Sequence, residues 1–186
     1  MVYLTALWLP ILVAAVLVFI ASSIIHVATP LHKGDYKKMP GEDNVMEAMR
    51  KEGMQPGAYM FPCAPSMKEA GTPEMLEKYK QGPVGFMHVL PSQAPAMGKS
   101  LVLWFIYTVI VGTFVAYVVG RAFGPGTEYL TVFRFAGTIA ILAYAVAEMP
   151  SSIWKGQSWG TTVRHAFGGV IYGLVTAGAF GWLWPA

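Results

Sequence analysis

Residues 5–27 read TALWLPILVAAVLVFIASSIIHV, and this stretch decides the class of fold. It contains no Lys, Arg, Asp or Glu, and it is long enough to cross a bilayer, which takes about 20 apolar residues. No Lys or Arg precedes it, whereas a cleavable signal peptide has a basic region followed by a shorter apolar core. The stretch therefore predicts a retained transmembrane helix within residues 1–28.

The rest of the chain has the composition of a membrane protein. Hydrophobic residues make up 55% of it and charged residues only 12%, whereas about 25% of the residues in an ordinary soluble domain are charged. Three further apolar stretches lie at about residues 100–119, 129–147 and 162–184, within residues 100–186. We predict an all-α integral membrane protein with four transmembrane helices. Aromatic residues near the span ends, Trp104 among them, are expected to form interfacial belts.

Residues 29–99 form a polar extramembrane insert between the first and second predicted spans. The insert holds nine of the thirteen prolines and nine of the eleven methionines. Two short helices are expected in it, at residues 43–52 and 73–81, because each has capping residues at its start and a glycine directly after its end. The remainder of the insert, including YMFPCAPSM at residues 59–67, is predicted to be irregular because it is rich in proline.

The distribution of basic residues predicts the orientation. With four spans, both termini share one side of the membrane and residues 29–99 lie on the other. By the positive-inside rule we expect the insert in the cytoplasm and the termini outside, in a bacterial-type inner membrane. The net charge of +3 is dispersed, so no nucleic-acid partner is expected. Basic residues near the span ends on the insert side are Lys33, Lys37, Lys38, Lys99, Lys155 and Arg164, against Arg121 on the terminal side.

Small residues recur at every fourth position in two of the predicted spans, and residues four apart lie on one helix face. Small side chains allow the close backbone approach on which helix association in lipid depends. These faces predict tight helix packing, either within the chain or with a second subunit in a homo-oligomer or a larger membrane complex. They consist of Gly169, Gly173, Ala177 and Gly181 in the fourth span, and Gly112, Ala116 and Gly120 in the second.

Three ionisable side chains at span ends form a candidate metal or haem site. His26 ends the first span, Glu148 the third, and His165 opens the fourth, so the topology places all three at the same membrane surface. Two histidines and a carboxylate can bind a divalent metal, and two histidines from different helices can hold a haem iron. The alternative is that these residues cap helices and face interfacial water, because none of the common metal-ligand spacings is present.

Arg134 lies about five residues, or about 8 Å, inside the third predicted span. An arginine at this depth can extend its side chain to the nearby interface. The alternatives are a buried ion pair or a membrane-lipid phosphate held between Phe133 and Phe135, because charges within spans are often functional.

Cys63, the only cysteine, lies in the proline-rich stretch. In a polyproline-like segment residues three apart share a face, so Met60 and Cys63 would align and, with His88, could hold copper. The alternative is a packing surface, because methionine is an adaptable filler of irregular contacts. A segment of about 70 residues with so few aliphatic side chains is also too small to fold securely alone.

No motif for nucleophilic, metalloprotease, P-loop or dinucleotide chemistry is present, so enzyme activity is not expected. The predicted function is a structural or accessory role, either as a self-associating protein or as a subunit of a larger membrane complex. One alternative is a metal- or haem-binding membrane protein for copper handling or electron transfer. A second is a small transporter or oligomeric channel lined by the glycine-rich helices.

Overall fold

A computed structural model describes residues 1–94 and 96–186 of the chain. The chain is mostly helical and divides into two compact units. The first unit comprises Met1–Asp35, Pro95–Ser152 and Gln157–Ala186, and the second comprises Tyr36–Ala94 and Ile153–Gly156. In chain order the elements are α1 (Trp8–Ser23), α2 (Glu42–Lys51), β1 (Gly57–Phe61), α3 (Met67–Ala70), α4 (Pro73–Gln81), β2 (Gly85–Val89), α5 (Met97–Ala122), α6 (Tyr129–Tyr144), α7 (Met149–Lys155) and α8 (Trp159–Trp182).

Among the described residues, three helical segments are long and apolar enough to cross a membrane. They are Leu4–Ala28, Met97–Ala122 and Tyr129–Lys155. The first is α1 lengthened by a 3-10 turn before it and a π-helical turn after it. These segments agree with the prediction of an integral membrane protein. α8 has the length of a span, at 24 residues, but it is not among the three because its glycines and polar first turns contribute little hydropathy.

The third apolar segment extends beyond its predicted end at residue 147. A 3-10 turn at Val146–Glu148 connects α6 to α7, which continues to Lys155. Pro150 does not stop the helix because it lies in the first turn of α7, where a proline removes no intrahelical hydrogen bond.

In the first unit, α6 packs along α8, and α1 packs on α5 and α8. The small-residue face of α8 contacts α6 of the same chain. A Cβ at Gly169 would collide with the backbone of Tyr144 and Ala145, and one at Gly173 would collide with Ile141. A Cβ at Gly181 would lie 2.7 Å from the Tyr129 ring.

The small-residue face of α5 contacts the N-terminal segment in the same way. A Cβ at Gly120 would lie 2.6 Å from the Val2 carbonyl oxygen, and one at Gly112 would lie 3.4 Å from Ile11. Ala116 in α5 and Ala177 in α8 are both fully buried. Both faces therefore bring neighbouring helices of one chain together.

The second unit differs from the prediction of an irregular insert with two helices and from an all-α fold. α2 and α4 have nearly the same bounds as the two expected helices. β1 and β2, however, form an antiparallel pair with Gly57 opposite Val89 and Phe61 opposite Gly85. α3 begins at Met67, the last residue of the proline-rich stretch, with Ser66 as its N-cap. The pairing was missed because each strand is only five residues long and is closely flanked by proline, which breaks the alternating pattern of a strand.

Candidate functional site

A cavity of about 380 Å³ lies within the first unit. Its walls come from the end of α1 and the turn that follows, and from α5, α6 and α8. Because these segments are far apart in the sequence, the cavity depends on the packing of all four helices. One part of its wall is aromatic and the other is rich in histidine.

Four aromatic side chains form the first part of the wall: Trp104, Tyr107, Tyr144 and Tyr172. The rings of Tyr144 and Tyr172 meet edge to face with centroids 5.8 Å apart, and Trp104 contacts Tyr172 at 5.9 Å. Edge-to-face contacts of this kind hold rings in fixed orientations. The indole Nε1 of Trp104 also donates a hydrogen bond of 2.9 Å to the Ser22 hydroxyl. Trp104 therefore lines the cavity instead of serving only in the predicted interfacial belt.

Asp35 organises the polar part of the wall. Its carboxylate Oδ2 accepts a hydrogen bond of 2.7 Å from His32 Nδ1 and lies 3.3 Å from His165 Nε2. Its Oδ1 accepts a hydrogen bond of 2.7 Å from Arg164 Nε. Burial raises the pKa of this carboxyl, but the hydrogen bonds from His32 and Arg164 and the charge of the guanidinium outweigh burial and lower the pKa to about 2.

These hydrogen bonds fix which ring nitrogens carry hydrogen. A carboxylate only accepts, so His32 must donate from Nδ1, and the Nε2 of the neutral ring is a free acceptor. His26 Nδ1 likewise donates to the Ser22 carbonyl oxygen at 2.9 Å, which leaves its Nε2 as an acceptor. The two rings stack almost in parallel with centroids 4.3 Å apart. In their neutral forms the two imidazoles on the cavity wall are therefore the same tautomer.

Two buried polar atoms lack hydrogen-bond partners among the described residues: His32 Nε2 and the Tyr172 hydroxyl. Both residues line the cavity. An unpaired buried polar group costs about 1–3 kcal/mol, so nearly all such groups in native proteins have a partner. The cavity wall therefore carries one nitrogen and one hydroxyl that are available to form hydrogen bonds with a ligand.

The rim of the cavity is mostly apolar, with the exposed His26 and Ser100 as its polar residues. Val27 and Met97 belong to the lining and are 84% and 69% exposed, so they lie where the cavity opens. Val27 lies in the last turn of the first apolar segment and Met97 begins the second. An opening of this composition is suited to molecules that dissolve in the bilayer.

The predicted surface site of His26, Glu148 and His165 coincides with this cavity, since all three residues line it. His32 and Asp35 were missed because residues 29–35 were assigned to the insert. The structure includes them in the first unit, where a turn closed by the Asp35 amide and the His32 carbonyl oxygen holds them together. The available signal was a histidine and an aspartate three residues apart directly after a span.

The candidate copper ligands lie in the second unit. Met60 and His88 are on the same exposed face of the β1–β2 pair, because they oppose Phe86 and Ala58 in register. β1 ends at Phe61, so the alignment of Met60 with Cys63 in one polyproline-like segment is wrong. Cys63 is exposed. Within the described residues, Cys63 joins no cluster of three or more His, Cys, Asp or Glu side chains.

Arg134 is exposed on α6 and makes no ion pair with any described residue. Its side chain is therefore free to reach the interface or a lipid phosphate.

Comparison with protein-family models, curated proteins and solved structures finds no match to this chain.

Proposed function

We propose that the protein crosses the membrane four times, with α8 as the fourth span. The support is its length of 24 residues, or about 36 Å, and its packing along α6 and α1, which belong to two of the apolar segments. We further propose a bacterial-type inner membrane, with the termini outside and residues 29–99 in the cytoplasm, from the excess of Lys and Arg on the insert side.

The single exposed cysteine makes this orientation testable without engineering. A membrane-impermeant maleimide added to intact cells should leave Cys63 unlabelled and should label it after permeabilisation. A Cys63→Ser variant supplies the blank. Labelling of intact cells at the full extent would invert the orientation.

We propose that the cavity binds a neutral, lipid-soluble ring compound with hydroxyl or carbonyl oxygens, of the quinone and quinol class. The observation that carries this proposal is the pair of unpaired buried atoms, His32 Nε2 and the Tyr172 hydroxyl. A quinone carbonyl can accept a hydrogen bond from the Tyr172 hydroxyl, and a quinol hydroxyl can donate one to His32 Nε2. Each ligand oxygen would satisfy a group that is otherwise buried without a partner.

The shape, charge and position of the cavity favour the same class. Its volume of about 380 Å³ lies within the range of small-molecule pockets, about 300–1,000 Å³. Edge-to-face aromatic rings suit a flat ligand. The charge of Asp35 is balanced by Arg164, and the other carboxylate of the cavity, Glu148, disfavours an anionic ligand. The mostly apolar rim gives access from lipid.

Calorimetric titration of the protein in nanodiscs with a decyl-substituted benzoquinone tests this function, with empty nanodiscs as the blank. We expect saturable binding at one molecule per chain. Tyr172→Phe should weaken binding about five- to tenfold, because it removes one hydrogen bond. The same change should raise the thermal stability of the ligand-free protein, because it removes a buried hydroxyl that has no partner there.

Tyr117→Phe is the matched control, since Tyr117 is an exposed tyrosine on α5 outside the cavity. It should bind the quinone as the wild type does. Absence of saturable binding would refute the quinone proposal. Equal affinity in the Tyr172→Phe protein would refute the hydrogen bond from the Tyr172 hydroxyl on which the proposal rests.

The accessory role is the second candidate, favoured by one observation. No described residue between 36 and 94 is fully buried, so this unit lacks a core and gains stability from a surface to pack against. The small-residue faces of α5 and α8 are not available for this packing, because they already contact other parts of the same chain. Native mass spectrometry of the gently extracted protein tests the prediction, because a homo-oligomer or a membrane subunit would appear as added mass.

A further inference from the structure

We propose that His32, Asp35 and His165 form a site for a divalent transition-metal ion of the Zn²⁺ class. The proposal concerns ligand atoms beside the cavity and does not depend on whether a quinone binds. Each of the three residues offers one ligand atom, and these atoms lie within 4.8 Å of one another. His32 and Asp35 come from the turn after the first apolar segment, and His165 comes from α8.

The atoms converge on one carboxylate oxygen. Asp35 Oδ2 lies 2.7 Å from His32 Nδ1 and 3.3 Å from His165 Nε2. In a tetrahedral zinc site with bonds of about 2.0–2.1 Å, neighbouring ligand atoms are about 3.3–3.4 Å apart. The His165 contact already has this spacing, and the His32 contact needs to open by about 0.6 Å. The ligand nitrogens of the two histidines lie within 4.8 Å of each other and need to approach the same spacing. Small side-chain rotations in the turn can supply these changes.

The ligand set selects the metal. Two imidazoles and one carboxylate suit Zn²⁺ and its neighbours Co²⁺ and Ni²⁺, whereas Ca²⁺ and Mg²⁺ prefer oxygen alone and Cu⁺ prefers sulfur. Three protein ligands leave a fourth position for water or another ligand. The predicted set of His26, Glu148 and His165 contributes one residue to this site, and His26 and Glu148 lie outside the group that the geometry brings together.

Arg164 is the group that opposes a metal, because it carries a positive charge next to Asp35. It binds Oδ1, however, and leaves Oδ2 to the two histidines. A guanidinium on the far oxygen orients a ligating carboxylate in the way that outer partners of metal sites do. The Glu148 carboxylate on the cavity wall adds a negative charge nearby.

Binding at His32 Nδ1 displaces its hydrogen, which in a neutral ring moves to Nε2. No oxidant or other reactant is needed, because the step exchanges a hydrogen bond for a metal–nitrogen bond.

A cobalt titration of chelator-stripped protein in detergent, without quinone, tests the site. We expect one Co²⁺ per chain, with the intense visible bands of a four-coordinate site and displacement by Zn²⁺. His165→Gln should weaken binding at least tenfold. His88→Gln is the matched control, because His88 is an exposed histidine on β2 outside the ligand set, and it should change affinity less than twofold.

The proposal is overturned by the absence of stoichiometric Co²⁺ binding to the wild type, or by His165→Gln binding as tightly as the wild type. An equal loss in His88→Gln would also overturn it, since the loss would then not be specific to the proposed ligands. Thermal unfolding of each variant without metal separates a lost ligand from a lost fold. Failure of quinone binding in nanodiscs leaves this result unaffected, so the two proposals can fail separately.

Discussion

Replacing Gly169 with alanine should destabilise the contact between α6 and α8. The added Cβ would collide with the carbonyl group of Tyr144 and lie 2.8 Å from the Cα of Ala145. These atoms belong to the backbone and cannot rotate away, so the two helices must separate. Overpacking of this kind costs about 1–3 kcal/mol, and we expect the upper part of that range because the obstacle is rigid.

Gly178→Ala is the matched control on the same helix. A Cβ there would meet only the Tyr129 hydroxyl at 4.0 Å, which is ordinary contact. Both substitutions gain the same advantage of alanine over glycine in a helix, about 1 kcal/mol. The difference between the two variants therefore isolates the overpacking cost, about 2–3 kcal/mol.

Equilibrium unfolding in mixed micelles measures both variants against the wild type. We expect Gly178→Ala to be as stable as the wild type or more so, and Gly169→Ala to be clearly less stable. If Gly169→Ala is as stable as Gly178→Ala, the close approach of α6 and α8 described above does not exist.

Three further changes test the cavity and its surroundings. Asp35→Asn should lower the free energy of unfolding by about 2–3 kcal/mol, because it weakens charged hydrogen bonds from two partners. Asp43→Asn on an exposed helix is the control and should cost less than about 0.5 kcal/mol in the same denaturation assay. Trp104→Phe should cost about 1 kcal/mol through loss of the hydrogen bond to Ser22, and a stability equal to that of the wild type would argue against this bond. Arg134→Gln should leave thermal stability within about 0.5 kcal/mol, because its side chain is exposed, and a larger loss would indicate a buried partner.

Much of the helical framework could be predicted from the sequence because span length is imposed by the bilayer and not by a partner. Residues 5–27 contain no Lys, Arg, Asp or Glu and are mostly apolar, so no knowledge of tertiary contacts was needed to place them. α8 was harder to predict as a span because its glycines lower the mean hydropathy by which spans are recognised. The same glycines permit the close packing that buries one face of the helix. The β1–β2 pair depends on contacts between distant short strands, which local sequence signals barely record.

The cavity was predictable only in part. Counting spans was enough to predict that His26, Glu148 and His165 lie near one another, and all three line the cavity. The role of His32 depends on a hydrogen bond to Asp35 and on the ion pair between Asp35 and Arg164, and pairings in three dimensions cannot be read from spacing. Trp104 is a tryptophan near a span end, which by itself predicts an interfacial residue. Its hydrogen bond to Ser22 depends on the packing of α5 on α1.

The ion pair between Asp35 and Arg164 joins residues 129 positions apart in the chain. During synthesis, Asp35 emerges from the ribosome long before its partner exists, so the first span enters the membrane with this carboxylate still facing water. Only the arrival of the last helix can close the polar wall. The cavity is therefore complete only after the last helix has been made, and a chain truncated before Arg164 would lack the α8 residues of the cavity wall.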